Sequence, residues 1–257
     1  MKTSSSTFFI LVFILSVPFY ILAVSGAKLP GLPFLPASAL MGFLPMTAAL
    51  ILTYQQRGSA RASAFLKSTF VLRRKFSAGW VLGALFFMPI VFLLEFWILR
   101  WTGSAVPIPH IETLQAFFYF VAFFIGAIGE ELGWQGYAYP RLRNSASVFG
   151  AALILGIIWA LWHVIPYYQM GRSTNWIVWQ ALSTIILRFI IVWFFENTSK
   201  SILIAVLFHT MINLTWALFP IAGSFYDPFI TFLILAFPVS AIVAWWQQKA
   251  SFKENPS

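Results

Sequence analysis

Five polar side chains in otherwise apolar segments could carry out chemistry. Glu130 and Glu131 follow a run of at least fifteen uncharged residues, and His163 lies in the next apolar segment. His209 and Asn213 are four residues apart in a later one, a spacing that places both on one face of a helix. A carboxylate with imidazoles can activate water, directly or through a bound metal ion. The same groups could instead relay protons in a transporter or form a static polar network.

The depth of these residues indicates that they meet. An ionisable group inside a bilayer costs about 2.5–3.5 kcal/mol, so function or partners must offset it. At 1.5 Å per helical residue, Glu130, His163 and Asn213 lie roughly 18–22 Å from the adjoining loops, and His209 about 14 Å. We therefore predict one polar cluster built from three helices.

The composition identifies the elements that must position this cluster. Of the 257 residues, 60% are hydrophobic and only 9% are charged, against about 25% charged in an average soluble domain. Eight apolar runs can each supply the ~20 residues of a membrane span, and spans of this kind are helical. The spans are predicted near residues 7–25, 33–54, 78–99, 115–140, 148–166, 176–195, 200–219 and 228–246. The fold class is thus an all-α polytopic membrane protein, and residues 1–257 form a single integral membrane domain.

The basic residues predict the orientation in the cell membrane. The net charge of +9 comes from short connections rather than from a stripe, so no nucleic-acid partner is expected. The side that we predict to be cytoplasmic carries Lys2, Arg57, Arg61, Lys67, Arg73, Arg74, Lys75, Arg141, Arg143, Lys200, Lys249 and Lys253. The opposite side carries only Lys28, Arg100 and Arg172. Both termini should therefore face the cytoplasm.

Three further features have simple expectations. The first segment could be a cleaved signal peptide, but its apolar stretch is long for one, so we expect it to be retained. Glu95, Arg100 and Glu196 lie near predicted helix ends, where long side chains reach the interface. The absence of cysteine excludes disulfides and a cysteine nucleophile.

Three ordered motifs carry a family resemblance. Residues 130–142, EELGWQGYAYPRL, resemble the first signature of the CPBP family, which includes CAAX prenyl endopeptidases and bacteriocin-processing or self-immunity membrane proteins (Abi proteins). Trp159 followed four residues later by His163 resembles the second signature, and His209 followed by Asn213 resembles the third. Together the motifs cover about residues 115–220.

The resemblance implies an eight-helix intramembrane protease. In this family pattern Glu130 activates the attacking water with His163 as its partner, and Glu131 supports the site. His209 and Asn213 then hold the oxyanion or the water. Members are usually labelled metalloproteases, so a divalent metal, zinc first, would be held by His163 and His209. A metal-free water activated by glutamate is the competing mechanism.

The chain departs from the family pattern at two positions. Gln135 stands where arginine is usual, and Trp159 where phenylalanine is usual. An amide cannot neutralise a buried carboxylate as a guanidinium does. Arg188 of the sixth span could substitute for the missing cation.

We therefore predict an intramembrane endopeptidase that hydrolyses membrane-associated or lipidated peptides. The alternative is a non-catalytic membrane scaffold or bacteriocin self-immunity factor of the same fold, and a proton-coupled transporter comes third. Several aromatic residues near the motifs could line an apolar groove or could be belt and packing residues. These are Trp134, Tyr137, Trp159, Trp162 and Tyr167.

Overall fold

The protein is a helical bundle in the computed structural model, which describes residues 4–70 and 77–254. The helices are α1 (Ser5–Val24), α2 (Leu44–Lys67), α3 (Ala78–Trp101), α4 (Thr113–Glu131), α5 (Tyr139–Leu142), α6 (Val148–Gln169), α7 (Thr174–Asn197), α8 (Ile202–Leu218), α9 (Pro220–Gly223) and α10 (Pro228–Glu254). Helix α6 packs along α7, α4 along α8, and α7 and α8 also contact α10 and α3 respectively. Lys2, Arg73, Arg74 and Lys75, used above for the orientation, lie outside the described residues.

The predicted spans agree with the helices in all but two respects. In the described part of the chain, seven helical segments are long and apolar enough to cross a membrane. The predicted span at 200–219 corresponds to α8, which is apolar but has only 17 residues, or about 26 Å. The predicted span at 33–54 is only partly a helix, because an antiparallel pair of strands, β1 (Lys28–Leu29) and β2 (Leu32–Pro36), and a 3₁₀ segment at Ala37–Phe43 precede α2.

The prolines and glycines of residues 26–45 explain this difference. Gly31 has a φ of +76° in the turn between β1 and β2, a conformation that favours glycine. Pro30 precedes it, and Pro36 ends β2. Proline has no backbone N–H and therefore interrupts a helix. Helix α2 then continues to Lys67, beyond the predicted end, with a kink at Gly58.

Helix α1 is attached to α6 where a proline frees a carbonyl. Pro166 cannot donate to the carbonyl of Trp162 one turn earlier, and the hydroxyl of Tyr20 donates to it instead, at 2.9 Å. The indole N–H of Trp162 donates to Ser16 Oγ at 2.7 Å, and Gln169 Nε2 donates to the carbonyl of Tyr20 at 2.7 Å. These bonds satisfy polar groups that a bilayer cannot.

The helix that carries the two glutamates changes its winding directly after them. Helix α4 ends at Glu131, a π-helical segment occupies Leu132–Ala138, and α5 completes one rod from Thr113 to Leu142. The N–H of Tyr139 bonds the carbonyl of Trp134, five residues earlier. Pro140 lacks the N–H that an α-helix would use here, which is a physical reason for the wider winding. Such π segments often occur at functional sites.

Two glycines let this rod approach the start of α2 closely. A Cβ atom at Gly133 would overlap the backbone carbonyl of Pro45, and one at Gly129 would lie 2.7 Å from the carbonyl oxygen of Gly42. Because glycine has no side chain, the two backbones can touch at these positions. This contact fixes the end of α4, and with it the two carboxylates, against the 3₁₀ segment and α2.

Glu95 lies in α3 but does not reach the interface as expected. Its side chain is fully buried. It accepts the backbone N–H of Asp227 at 2.7 Å and the hydroxyl of Thr231, so it holds the start of α10 against α3. The carboxylate is satisfied by the protein rather than by water.

Candidate active site

Glu130 is held by two indole donors. Trp159 Nε1 of α6 donates to Glu130 Oε2 at 2.7 Å, and Trp134 Nε1, four residues along the chain, donates to the same oxygen at 3.4 Å. The residue is 9% exposed, and its Oε1 accepts none of these bonds. One carboxylate oxygen is therefore fixed by the two indoles, while no hydrogen bond within the described residues occupies the other.

Glu131 lies behind Glu130 in a buried ion pair. Its Oε2 is 2.7 Å from Arg188 Nη1 of α7, and neither side chain is exposed. Its Oε1 is 2.8 Å from Nδ1 of His209 on α8. The other ring nitrogen of His209, Nε2, is 4.0 Å from Glu130 Oε1. Helices α4, α7 and α8 thus meet at these four side chains.

His163 is enclosed by aromatic rings. Its Nδ1 is 2.8 Å from the carbonyl oxygen of Trp159, one turn earlier, so Nδ1 is the donor and Nε2 can accept. The imidazole stacks on Tyr167 at a centroid distance of 5.7 Å and meets Trp162 edge-on at 4.9 Å. These contacts fix the plane of the ring.

A cavity of about 350 Å³ opens onto the cluster. Glu130, His163 and Asn213 line it, together with Leu29, Leu32 and Leu35 of the strand pair, Met41 of the 3₁₀ segment, and Phe92 and Phe123. A second part of the wall is more polar. There Tyr226 donates to Gln180 Oε1 at 2.7 Å, and Gln180 Nε2 donates to the hydroxyl of Tyr167 at 3.4 Å. The cavity therefore joins a polar centre to a long apolar wall.

The structure divides the five predicted site residues into two layers. Glu130, His163 and Asn213 lie on the cavity wall, whereas Glu131 and His209 are not among its lining residues. Contacts join Glu130, Glu131 and His209, and Glu130 shares the cavity wall with His163 and Asn213. The catalytic roles of all five stay predictions. Of the five aromatic residues singled out, Trp162 and Tyr167 line the cavity, Trp134 and Trp159 hold Glu130, and Tyr137 packs against Phe8.

Sequence reasoning missed the two indole donors. Trp134 is four residues after Glu130, so the spacing alone could have indicated that its indole reaches the carboxylate. The contact of Trp159 joins two helices, and no local pattern predicts it.

The chain is similar in sequence to known proteins. Residues 112–215 match a family model described as type II CAAX prenyl endopeptidase Rce1-like. The CAAX prenyl protease 2 of Methanococcus maripaludis is 33% identical over 139 residues, which are 51% of this chain and 50% of that protein. The chain is thus similar to type II CAAX prenyl endopeptidases, as the CPBP resemblance led us to expect. It matches only about half the length of this curated relative.

The two departures from the CPBP pattern are explained together by the fold. Arg188 supplies the cation beside Glu131 that position 135 lacks. Gln135 is buried, and neither of its side-chain polar atoms has a hydrogen-bond partner in the described part of the chain. The guanidinium of Arg188 also lies over the ring of Trp159, with Cζ 4.0 Å from the ring centroid. Trp159 gives Glu130 an N–H donor that phenylalanine does not have.

The described residues do not present a complete ligand set for a zinc ion. Among the residues at 4–70 and 77–254, no group of three or more His, Cys, Asp or Glu side chains is arranged to hold a metal ion. A catalytic zinc ordinarily has three protein ligands. In the part of the chain that the structure describes, His163 and His209 have no third ligand arranged with them. The zinc prediction stays a prediction, and no step below depends on it.

Proposed function

We propose that this protein is an intramembrane endopeptidase in which Glu130 activates water. The observation that supports this most directly is that Glu130, His163 and Asn213 line one cavity inside a helical bundle. Glu130 Oε2 is occupied by two indole donors while Oε1 is available. A carboxylate held in this way is oriented to take a proton from a water molecule.

In the proposed reaction, water lies between Glu130 Oε1 and the carbonyl carbon of the scissile peptide. Glu130 takes one proton, and the hydroxide oxygen forms a bond to that carbon. The carbonyl oxygen becomes an oxyanion, which the Asn213 amide stabilises as a donor. Glu130 then gives its proton to the amide nitrogen, the oxyanion re-forms the carbonyl group, and the C–N bond breaks. The products are a carboxylic acid and an amine, and the acid passes its proton to the amine to leave a carboxylate and an ammonium group.

His163 and the residues behind Glu130 have supporting roles in this proposal. His163 lines the cavity, and its Nδ1 is used by the carbonyl of Trp159, so its Nε2 is the nitrogen that would orient the attacking water. Glu131 and His209 keep the environment of Glu130 fixed from the side away from the cavity. The family resemblance implies that His209 and Asn213 together hold the oxyanion or the water, and Asn213 is the better candidate because it lines the cavity.

The proposed substrate is a peptide that is attached to the membrane. The apolar wall formed by Leu29, Leu32, Leu35, Phe92 and Phe123 suits a lipid chain or an apolar segment. The name of the archaeal relative refers to prenylated CAAX peptides, and these are the first candidates. Membrane anchoring also concentrates and aligns a substrate at a site inside the bilayer.

The proposal is tested by cleavage assays with the purified chain in liposomes. One peptide is compared with and without a prenyl anchor, and products are identified by mass spectrometry. We expect the anchored form to be cleaved with a higher kcat/KM. Equal efficiency for the soluble form would contradict the proposed substrate class. Metal content and sensitivity to chelators in the same assay test the zinc prediction.

The alternative of a non-catalytic scaffold or self-immunity factor loses its main support. That alternative was favoured by Gln135, since Glu131 would have had no cation beside it. Arg188 provides that cation. Biological activity that survives simultaneous replacement of Glu130 and His163 would restore the alternative.

A further inference from the structure

Five side chains from four helices form a closed ring of contacts. Arg188 Nη1 is 2.7 Å from Glu131 Oε2, and Glu131 Oε1 is 2.8 Å from His209 Nδ1. His209 Nε2 is 4.0 Å from Glu130 Oε1. Glu130 Oε2 accepts Trp159 Nε1 at 2.7 Å, and the Trp159 ring lies under the guanidinium of Arg188, 4.0 Å from Cζ. Two separate routes thus lead from Arg188 to the two oxygens of Glu130.

Arg188 and Glu130 lie at opposite sides of this ring. Glu130 lines the cavity, whereas Arg188 is fully buried and is not among the lining residues. Arg188 therefore cannot touch a substrate in the cavity, and any effect on the reaction must pass through its neighbours.

The first route fixes the histidine. Arginine has only donors, and the carboxylate paired with it has only acceptors. His209 Nδ1 must then be the donor to Glu131, so the imidazole plane is set and Nε2 faces Glu130. Removing the cation leaves Glu131 as a buried carboxylate without its charge partner. The imidazole of His209 is then held less firmly in this orientation.

The second route fixes the tryptophan. A guanidinium over an indole face is an attractive arrangement, and it is stronger when both groups are away from water. It restrains the ring whose N–H donates to Glu130. Arg188 therefore acts on each oxygen of Glu130 through a different neighbour.

We propose that Arg188 is a positioning residue for Glu130, acting through Glu131–His209 on one side and Trp159 on the other. The route through Glu131 depends on a cation that reaches this carboxylate, not on the helix that supplies it, whereas the route through Trp159 depends on Arg188 itself. Gln135 is one turn after Glu131, buried and without a hydrogen-bond partner in the described residues. The cation can thus be moved from α7 to the helix of the glutamates. This inference rests on the proposed function.

The test measures cleavage of an anchored peptide by the full-length protein in liposomes. Arg188→Gln should lower kcat by about 10–100-fold, as loss of an outer-shell partner commonly does, and should leave KM within a few-fold. Arg188→Lys, which keeps the charge but not the planar fork, should retain more activity than Arg188→Gln. The double variant Arg188→Gln/Gln135→Arg should have a kcat at least about tenfold higher than that of Arg188→Gln, a gain within that same range.

Two results would overturn the positioning role. One is an unchanged kcat in folded Arg188→Gln, and the other is a double variant no more active than Arg188→Gln alone. Arg100→Gln is the matched control, because Arg100 is exposed at the end of α3 and lies outside the cavity and the ring. It should keep the wild-type kcat. If the role of Arg188 were purely structural, Arg188→Gln would change the folded fraction. Moving the charge to residue 135 would then not restore kcat.

Thermal unfolding separates this inference from the proposed function. If the wild-type protein cleaves no peptide, the proposed function fails, and the ion pair is still testable. Arg188→Gln and Glu131→Gln should each lower the Tm. The combined variant Arg188→Gln/Glu131→Gln should lower the Tm by less than the sum of these two shifts. Additive shifts would show that the pair is not coupled and would contradict the inference.

Discussion

Glu131 and Arg188 are 57 residues apart in the chain, yet their side chains lie 2.7 Å apart and neither is exposed. A buried pair of this kind adds little net stability, because desolvation of both charges offsets their attraction. The pair instead orients the side chains that contact it. The remaining oxygen of Glu131 contacts His209, and the face of Trp159 contacts Arg188, so the pair determines the surroundings of Glu130.

The indole N–H of Trp159 should contribute directly to catalysis. Trp159→Phe keeps an aromatic ring under Arg188 but removes the 2.7 Å hydrogen bond to Glu130. A hydrogen bond to a charged group contributes about 1.5–3 kcal/mol, so we expect kcat to fall roughly 10–100-fold. Trp193→Phe, a similar change outside the cavity lining, is the control and should retain activity. An unaltered kcat in Trp159→Phe would contradict the role of this donor.

The close approach of the rod to α2 should not tolerate a side chain at Gly133. Gly133→Ala places a methyl group on the backbone carbonyl of Pro45, and overpacking of this kind costs about 1–3 kcal/mol. Gly126→Ala is the control on the same rod, because no atom lies within 4 Å of the added methyl group. Thermal unfolding in detergent should show a lower Tm for the first variant only. Equal Tm values would mean that the two backbones can separate without loss.

Glu95 should stabilise the bundle rather than take part in cleavage. Glu95→Gln places an amide where the N–H of Asp227 and the hydroxyl of Thr231 both donate. An imperfectly satisfied buried group costs about 1–3 kcal/mol, so the Tm should fall. Glu112→Gln, at a side chain 69% exposed, should change stability by less than about 0.5 kcal/mol. A Glu95→Gln protein as stable as the wild type would show that the contact to α10 contributes nothing.

The orientation of the bundle is tested by reporter fusions. We expect both termini in the cytoplasm, because the basic residues of the connections lie mainly on that side. A reporter that is active only outside the cytoplasm should be inactive at the C-terminus and active after Gly103, which follows α3. The opposite pattern would reverse the predicted topology.

The sequence predicts the helices well because membrane spans depend on composition alone. Apolar length located seven long helices and α8, since a bilayer requires helical hydrogen bonding wherever the chain crosses it. The strand pair around Gly31 was missed because hydropathy does not distinguish an apolar hairpin from an apolar helix. The prolines at 30, 33 and 36 were the available signal.

Part of the site could be predicted because the positions of residues along a helix follow from its geometry. Motif spacing and depth brought Glu130, His163 and Asn213 together, because these quantities follow from helical geometry. The environment of Glu95 could not be predicted, since it depends on where α10 begins relative to α3. The contact of Arg188 likewise depends on how α7 packs, and only its unusual place within an apolar segment marked it as a candidate.

Cleavage by Glu130→Gln tests the central claim most directly. The substitution keeps the size of the side chain but removes the carboxylate that is proposed to take the proton from water. Purified wild-type, Glu130→Gln and Glu112→Gln proteins would be compared in liposomes with the same anchored peptide, after their folded fractions are matched by thermal unfolding. We predict that Glu112→Gln cleaves like the wild type and that Glu130→Gln gives no detectable product. Product formation by folded Glu130→Gln at the wild-type rate would contradict the assignment of Glu130 as the base that activates water.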